Sequence, residues 1–372
     1  MDIIVEALRV EYQPARWRIP SDFLTFEHFR RVVKDMEMTS SPGYPYLLTT
    51  PTIGRYLGYD GDGGFDENRL RVVWREVQER IENKTSDPIR LFIKPEPHKS
   101  KKRDQKAWRL ISSVSVLDQI IDHMLFDPMN DKIVLAHFDV VPQVGWCPIK
   151  GGWTHMPCSG LAMDKSGWDW TVRPWLLEIV LRLRGELCEN VDAKWLELAK
   201  WRYGELFNQP FLVTSGGQLF RQRNPGVMKS GCVNTITDNS IMQDILNKVV
   251  ELETGQCSSW MLTMGDDTLQ SPPEDLGVYI QCLRKYCIVK DAKASVEFAG
   301  FRFDPEHVEP LYFGKHAFSL LHANQKDAPD YARAYALLYH KSRRSSLVRS
   351  LCEYLGYVPS ESYLDGLWNF EA

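Results

Sequence analysis

Trp260-Met-Leu-Thr-Met-Gly265-Asp266-Asp267-Thr268-Leu-Gln270 is an apolar run that stops at a glycine and two adjacent carboxylates and then resumes. It reads as a β-hairpin with Asp266 and Asp267 at its tip, Gly265 supplying the backbone freedom that a tight turn needs. Two ionised carboxylates held about 4 Å apart repel by roughly 4 kcal/mol at an effective dielectric near 20. A fold that forces them together usually supplies a cation to offset them. Taken alone, the stretch reads equally as an Asp-rich turn between exposed strands or as half of a metal site. The rest of the chain decides between these.

The 372 residues are 44% hydrophobic and 12% aromatic, enough to bury a large core in one multi-lobed unit or two domains. Eight cysteines are scattered without a C-x-x-C pair, which argues against structural zinc and a disulfide framework. The start, Met-Asp-Ile-Ile-Val-Glu, lacks the basic flank and apolar core of a signal peptide. No apolar run is long enough to predict a transmembrane segment. A net charge of -4 argues against an indiscriminate nucleic-acid coat, but two windows break that average. Lys94 to Arg109 carries seven Lys/Arg against two acids, and Asp330 to Arg349 carries five against one. The first is pinned to the core on both sides, by the strand-like Ile89–Ile93 and by Trp108-Arg-Leu-Ile-Ser-Ser.

Upstream, Phe23, Phe26, Phe29, Val32 and Val33 are spaced for an amphipathic helix beginning after Pro20-Ser21-Asp22. Ser41-Pro42-Gly43-Tyr44-Pro-Tyr46 is too rich in Pro and Gly for a regular element. It is either a structural turn or an aromatic loop along which a nucleic-acid strand slides. Asp60-Gly-Asp-Gly-Gly64 lacks the terminal Glu of a calcium loop and reads as a surface turn. Helices are expected over Arg69–Ile81 and over Leu117–Phe126, the latter ending at Asp127-Pro128.

Leu161-Ala-Met-Asp164 reads as a short buried strand, followed by a turn and a helix with Pro174 in its first turn. A carboxylate at a strand tip is rigidly aimed and suits metal ligation. Asp169, near a helix start, is placed either to cap that helix or to accept a hydrogen bond from a substrate hydroxyl. Phe211–Thr214 and Gln218–Arg221 read as a hairpin. Ser230-Gly231 is expected to open a long helix toward Glu253, with Thr235 and Asn239 at i and i+4 on one face. That polar stripe suits the hydroxyls of a ribose, or simply a capped and solvated helix start. A helix is expected over Leu276–Tyr286, a hairpin over Val296–Phe313 across Asp304-Pro305, and helices from about Lys326 onward.

A strand-tip Asp164, the pair Asp266 and Asp267, a basic loop and a hydroxyl-reading helix are together the parts needed for nucleotidyl transfer. Two Mg²⁺ ions about 3.5 to 4 Å apart can be clamped by such carboxylates, Mn²⁺ substituting. Lys94, Lys106 and Arg109 are placed to cradle a triphosphate.

The order and spacing of these motifs resemble viral RNA-dependent RNA polymerases. Lys94-Pro-Glu-Pro-His-Lys, Trp108-Arg-Leu-Ile-Ser-Ser-Val-Ser, Ser166-Gly-Trp-Asp-Trp and Thr263-Met-Gly-Asp-Asp are similar to the polymerases of sobemoviruses and poleroviruses. The likeness covers roughly residues 40–315. It implies an α+β right-hand fold, with a palm of antiparallel sheet backed by helices and a small helical thumb. Fingers would span 1–155 with an insertion at 191–222, palm 156–190 and 223–313, and thumb 314–372. Asp164 and Asp266 would ligate metal with Asp267 assisting. Asp169 and Asn239, helped by Ser230, Gly231 and Thr235, would select ribose. Lys290 or Lys293 would protonate pyrophosphate, and the 296–313 hairpin would grip the primer. Two departures stand out: Trp168 where Phe is usual, and Phe298-Ala-Gly-Phe where the subgroup carries Phe-Cys-Ser-His.

The implied partners are template and nascent RNA, NTPs, a genome-linked protein primer (VPg) and other replication proteins, but no DNA. The implied setting is the host-cell cytoplasm, with membrane-associated replication sites open. A reverse transcriptase would be expected to carry an aromatic gate and lack the Ser-Gly-x3-Thr-x3-Asn helix. A terminal transferase would extend without template, and a silent RNA-binding scaffold would have no need of four aspartates in repulsive proximity.

Overall fold

Met261–Met264 and Asp267–Gln270 pair as an antiparallel hairpin, with Gly265 and Asp266 as the two-residue turn between them. The structure, a computed structural model, describes residues 1–98, 100–356 and 358–369. Its strands, in chain order, are β1 (Ile89–Ile93), β2 (Leu110–Ser113), β3 (Leu161–Lys165), β4 (Phe211–Thr214), β5 (Leu219–Arg221) and β6 (Met261–Met264). There follow β7 (Asp267–Gln270), β8 (Val289–Ala294), β9 (Glu297–Phe298), β10 (Phe301–Phe303) and β11 (Val308–Pro310).

The central sheet runs β6-β7-β3-β8 and every pairing in it is antiparallel. The Thr235–Thr254 helix lies behind it, buried from Thr237 to Asn247, and the Thr263 hydroxyl donates to the Ser240 carbonyl at 3.0 Å. A second sheet, β2-β1-β4-β5, sets β4 parallel to β1, so segments more than a hundred residues apart share one layer. The α+β expectation holds, antiparallel sheet backed by helices included.

Buried ion pairs lock helices behind the site. Arg202 reaches Asp122 through Nε at 2.6 Å and Nη2 at 3.0 Å, both side chains excluded from solvent. Arg184 donates to one oxygen of Asp238 at 2.7 Å and the Tyr203 hydroxyl to the other at 2.7 Å, which clamps the Thr235–Thr254 helix from behind.

Several local expectations are corrected. The Phe26–Asp35 helix starts later than Pro20-Ser21-Asp22, because the Thr25 hydroxyl caps it by accepting the His28 amide at 3.2 Å, while Asp22 pairs with Arg31. The Val116–Leu135 helix does not end at Asp127-Pro128 but runs through Pro128. The apolar side chains of Met124, Phe126, Met129 and Ile133 stay buried across the break, and that packing outweighs the one backbone hydrogen bond a proline removes. Ser230 does not open the long helix, which starts at Thr235 after Asn234. The helix after the central hairpin stops at Leu283 rather than Tyr286. The hairpin across Asp304-Pro305 forms between Phe301–Phe303 and Val308–Pro310, but a third strand precedes it, because the chain also reverses at Ala299 (φ 48°) and Gly300 (φ 83°). Helices resume at Phe313–Leu321, ahead of Lys326.

The C-terminal helices Ala328–Leu338, Ser345–Leu355 and Glu361–Asn369 share a separate small core that includes Ala332, Tyr339, Val348 and Leu364. Trp368 is fully buried, and Gly151 donates its amide to the Trp368 carbonyl at 2.8 Å, docking the last helix on the Gly145–Trp153 connection. All eight cysteines are free, and no described helix is long and apolar enough to cross a membrane.

Candidate active site

The turn between β6 and β7 depends on Gly265, whose φ of 65° suits no ordinary side chain although nothing crowds its α-carbon. Its amide donates to the Ser240 hydroxyl at 2.8 Å, so the long helix holds the turn. Asp266 projects to solvent at the tip and Asp267 opens β7. On the neighbouring strand, Met163 stands opposite Thr268, which sets Asp164 next to Asp267. A separation of about a hundred residues thus collapses to one strand spacing.

The electrostatics follow from that proximity. Burial pushes the Asp267 carboxyl up to about 6, and the nearby Asp266 and Asp164 charges add to the shift. Lys165 opposes it from below. Its side chain is buried, donates to the Thr268 hydroxyl at 3.0 Å, and is brought down to about 8 by burial while Cys287 and the three aspartates pull it back up. Burial of Lys165 is not expected from its residue type. The available signal was alternation: Leu161, Met163 and Lys165 fall on one strand face, and that face is buried.

On the other side of β3, Asp164 stands opposite Asp291 of β8. Lys290 forms an ion pair with the Asp164 carboxylate. Lys293 is set back opposite Ala162, 3.2 Å from Asp291 and 3.9 Å from Glu297. Of the two lysines, Lys290 is the one in contact with the aspartate cluster. Among the described residues no group of three or more His, Cys, Asp or Glu side chains is gathered as a preformed metal centre. Carboxylates repel, and here Asp164 is engaged by Lys290 while Asp266 faces water.

Asp169 and Asn239 do meet. The Asn239 amide donates to Asp169 Oδ1 at 3.1 Å, and its oxygen accepts from Trp168 Nε1 at 2.9 Å. Burial raises the Asp169 carboxyl above its ordinary range, and the bond from Asn239 works against that. Trp168 thus fixes the orientation of Asn239 through an indole donor that a Phe would lack. The other helix candidates have local duties. Thr235 donates to the carbonyls of Lys229 at 2.8 Å and Cys232 at 2.7 Å. The Ser230 hydroxyl accepts the Ser112 amide at 3.1 Å. Gly231 packs so tightly on β2 that a Cβ there would lie 2.3 Å from the Ser112 carbonyl oxygen.

In the basic loop, Lys94 and Arg109 are brought together by the β1–β2 pairing, the Lys94 amide donating to the Arg109 carbonyl at 2.9 Å. Both side chains approach Glu96, at 3.6 Å and 3.5 Å. Lys106 stands apart, exposed, with φ 52°. Lys99, the last residue of the Lys94-Pro-Glu-Pro-His-Lys motif, lies outside the described residues. In the aromatic loop, Pro42 and Gly43 are buried, Tyr44 is half-buried and Ser41 is exposed. A Cβ on Gly43 would lie 2.6 Å from the Val114 carbonyl oxygen, and the Pro42 carbonyl accepts the Val116 amide at 2.8 Å. The loop is therefore moored to the segment that follows β2.

Residues 28–350 match the family model described as viral RNA-dependent RNA polymerase. The chain belongs to that family. Among its relatives, Protein P1-P2 of Pea enation mosaic virus-1 is 29% identical over 340 residues, covering 80% of this chain and 27% of that protein. Replicase polyprotein P2AB of Cocksfoot mottle virus is 34% identical over 208 residues, covering 53% of this chain and 21% of that protein. The chain spans less than a third of the length of these relatives. In fold this polymerase-family chain is similar to a Sicinivirus 3Dpol RNA dependent RNA polymerase, with a TM-score of 0.76 over 98% of this chain and 84% of the other at 16% identity. The expected likeness to sobemovirus and polerovirus polymerases and the right-hand fold are both borne out.

Proposed function

We propose that the chain catalyses template-directed transfer of ribonucleoside monophosphates from NTPs to an RNA 3′-hydroxyl, releasing pyrophosphate, in replication of a positive-strand RNA virus genome. The observation that carries this reading is the placement of Asp164 beside Asp267 on adjacent strands, with Asp266 on the turn between β6 and β7. In this reading the fingers span 1–155 and 191–222, the palm 156–190 and 223–313, and the thumb 314–372.

The donor set suits two Mg²⁺ ions, with Mn²⁺ able to substitute. Its oxygens are hard, and the Asp267 carboxyl is raised first by burial and then by the Asp266 and Asp164 charges, a repulsion that a divalent cation relieves. Asp164 and Asp266 would hold the ions, with Asp267 assisting. Such ions, when bound, make the 3′-hydroxyl a better nucleophile and neutralise charge on the departing pyrophosphate. The chain's own groups do the rest. Lys290, already against Asp164, is the better placed of the two lysines to deliver a proton to pyrophosphate, with Lys293 behind it. Asp169 and Asn239 present an oriented donor and acceptor pair to a ribose hydroxyl, and a sugar without that hydroxyl leaves them unpaired. Lys94 and Arg109 receive the triphosphate, joined by Lys106 from the loop tip, and Ser41 to Tyr44 guide the template.

The proposed partners are template and nascent RNA, NTPs, a protein primer (VPg) and other replication proteins, in the host-cell cytoplasm at membrane-associated replication sites. The deciding experiment is purified protein with a homopolymeric RNA template, its matched NTP and Mg²⁺ or Mn²⁺, with and without primer. Template-dependent RNA product is expected. Synthesis that survives excess chelator, or persists at full rate in Asp266→Asn, would overturn the mechanism.

A further inference from the structure

Glu96 is an acid in the middle of the most basic loop of the chain, and its carboxylate is met by three cations. Lys315 Nζ lies 2.9 Å from Oε2, Lys94 Nζ 3.6 Å from the same oxygen, and Arg109 Nη1 3.5 Å from Oε1. Two of these cations flank Glu96 in sequence. The third comes from the Phe313–Leu321 helix, 219 residues downstream. One monovalent carboxylate therefore gathers three positive charges from two distant segments of the chain, and two of the three stand beyond close hydrogen-bonding distance. Glu96 is largely covered, its side chain 11% exposed, whereas Lys94, Arg109 and Lys315 are 41%, 57% and 46% exposed. The cations thus remain open to an outside anion while the acid they share does not. Lys315, chiefly, and the other two cations hold the Glu96 carboxyl down at about 2, so it stays ionised at any physiological pH.

The Lys315 amide donates to the Tyr312 carbonyl at 2.9 Å, so this cation stands one turn from a residue of the aspartate cavity. Tyr312, in the same short segment as Lys315, lines a cavity of about 350 Å³ together with Asp164, Asp267 and Lys293, and the charge of Arg109 is felt at Asp169.

We propose that Lys315 completes a three-cation polyphosphate site with Lys94 and Arg109, and that Glu96 keeps this site latched until the triphosphate of an incoming nucleotide displaces it. Several negative charges on adjacent phosphates satisfy three cations better than one carboxylate does, and phosphate suits the fork of Arg109. Displacement of Glu96 also releases the tie between the basic loop and the Phe313–Leu321 helix, so nucleotide binding and the spacing of those two elements are coupled. The inference rests on the polymerase reading for the identity of the ligand.

The test uses the full chain without metal and inorganic triphosphate as the probe, with binding followed by calorimetry. Glu96→Gln, isosteric and neutral, is expected to tighten binding about three- to fivefold, and Lys315→Gln to weaken it by a similar factor, the size of effect that part-exposed charge pairs support. Lys315→Arg should bind nearly as the parent does. Weaker or unchanged binding in Glu96→Gln would overturn the latch, since the acid would then only orient its cations. A Lys315→Gln variant that melts earlier yet binds triphosphate unchanged would reduce Lys315 to a structural tie. Melting curves on each variant separate these outcomes from misfolding. If the parent makes RNA on template but the binding shifts are missing, the latch alone fails; if the shifts appear and no RNA is made, the polymerase reading alone fails.

Discussion

The Gly265 amide donates to the Ser240 hydroxyl at 2.8 Å, while the Ser240 carbonyl accepts the Thr263 hydroxyl at 3.0 Å. The helix that carries Asn239 and the turn that carries Asp266 are thereby one rigid piece. Ser240→Ala removes the first bond and keeps the second. Loss of one such bond is worth about 1 kcal/mol, so the initial rate of RNA synthesis is expected to fall roughly five- to tenfold. The melting temperature should change little, and an unaltered rate would show that the turn is held by other contacts.

Asp266 and Asp267 are expected to separate on mutation. Asp266 is exposed at the turn, whereas Asp267 is partly buried and its carboxyl is already raised to about 6. Asp266→Asn should abolish synthesis with RNA binding intact, and Asp267→Asn should retain measurable activity. Parallel primer-extension and RNA-retention assays check both, and equal loss in the two variants would remove the distinction.

Asn239→Ala leaves Trp168 Nε1 and Asp169 Oδ1 without their shared partner. Discrimination of NTP against dNTP is expected to drop about tenfold, as the oriented donor is lost. Competition between ribo- and deoxynucleotide on one template measures it, and unchanged selectivity would count against the role of the pair.

Arg184 and Asp238 have no exposed side-chain surface. Arg184→Ala strands a buried carboxylate and is expected to cost about 3–5 kcal/mol of stability, read as a large fall in melting temperature. Arg202→Ala should behave alike, because Asp122 is left in the same position.

A pH dependence follows from Asp244, buried on the Thr235–Thr254 helix 3.5 Å from Lys248, which also meets Glu11 at 2.7 Å. Burial raises the Asp244 carboxyl well above its ordinary range, Lys248 opposes this and Glu11 adds to it, with Tyr12 packed alongside. A carboxyl that holds its proton more tightly folded than unfolded contributes fully below the unfolded value near 4, and that contribution is lost as pH rises toward neutrality. Asp244→Asn lacks this titration, so its melting temperature relative to the parent should climb between about pH 4 and pH 8. A difference that does not vary with pH would contradict the assignment.

Much of the site was legible in sequence because its residues sit in short, sharply punctuated segments. Gly265 marked the turn, the apolar run before Asp164 marked a buried strand, and the order of motifs identified the family. Errors fell where local propensity met tertiary packing. Pro128 looked like a helix end, yet the buried side chains around it carried the helix onward. Ser230 looked like a cap, yet it serves β2, and the helix begins five residues later. Lys165 is hard to read from sequence because a lysine is ordinarily a surface residue, and only the period-two pattern of β3 turns it inward.

What the sequence determined by itself was the set of local elements and the chemical types at their tips, since turn formation, strand alternation and helix periodicity depend on neighbours a few residues away. Which tips meet was decided by the tertiary structure. The pairing of β3 with both β7 and β8 brings Asp164 to Asp267 and to Lys290, and the packing of the Phe313–Leu321 helix brings Lys315 to Glu96. Such contacts form only after long loops close and a shared core repays their entropy, and no local pattern records that exchange.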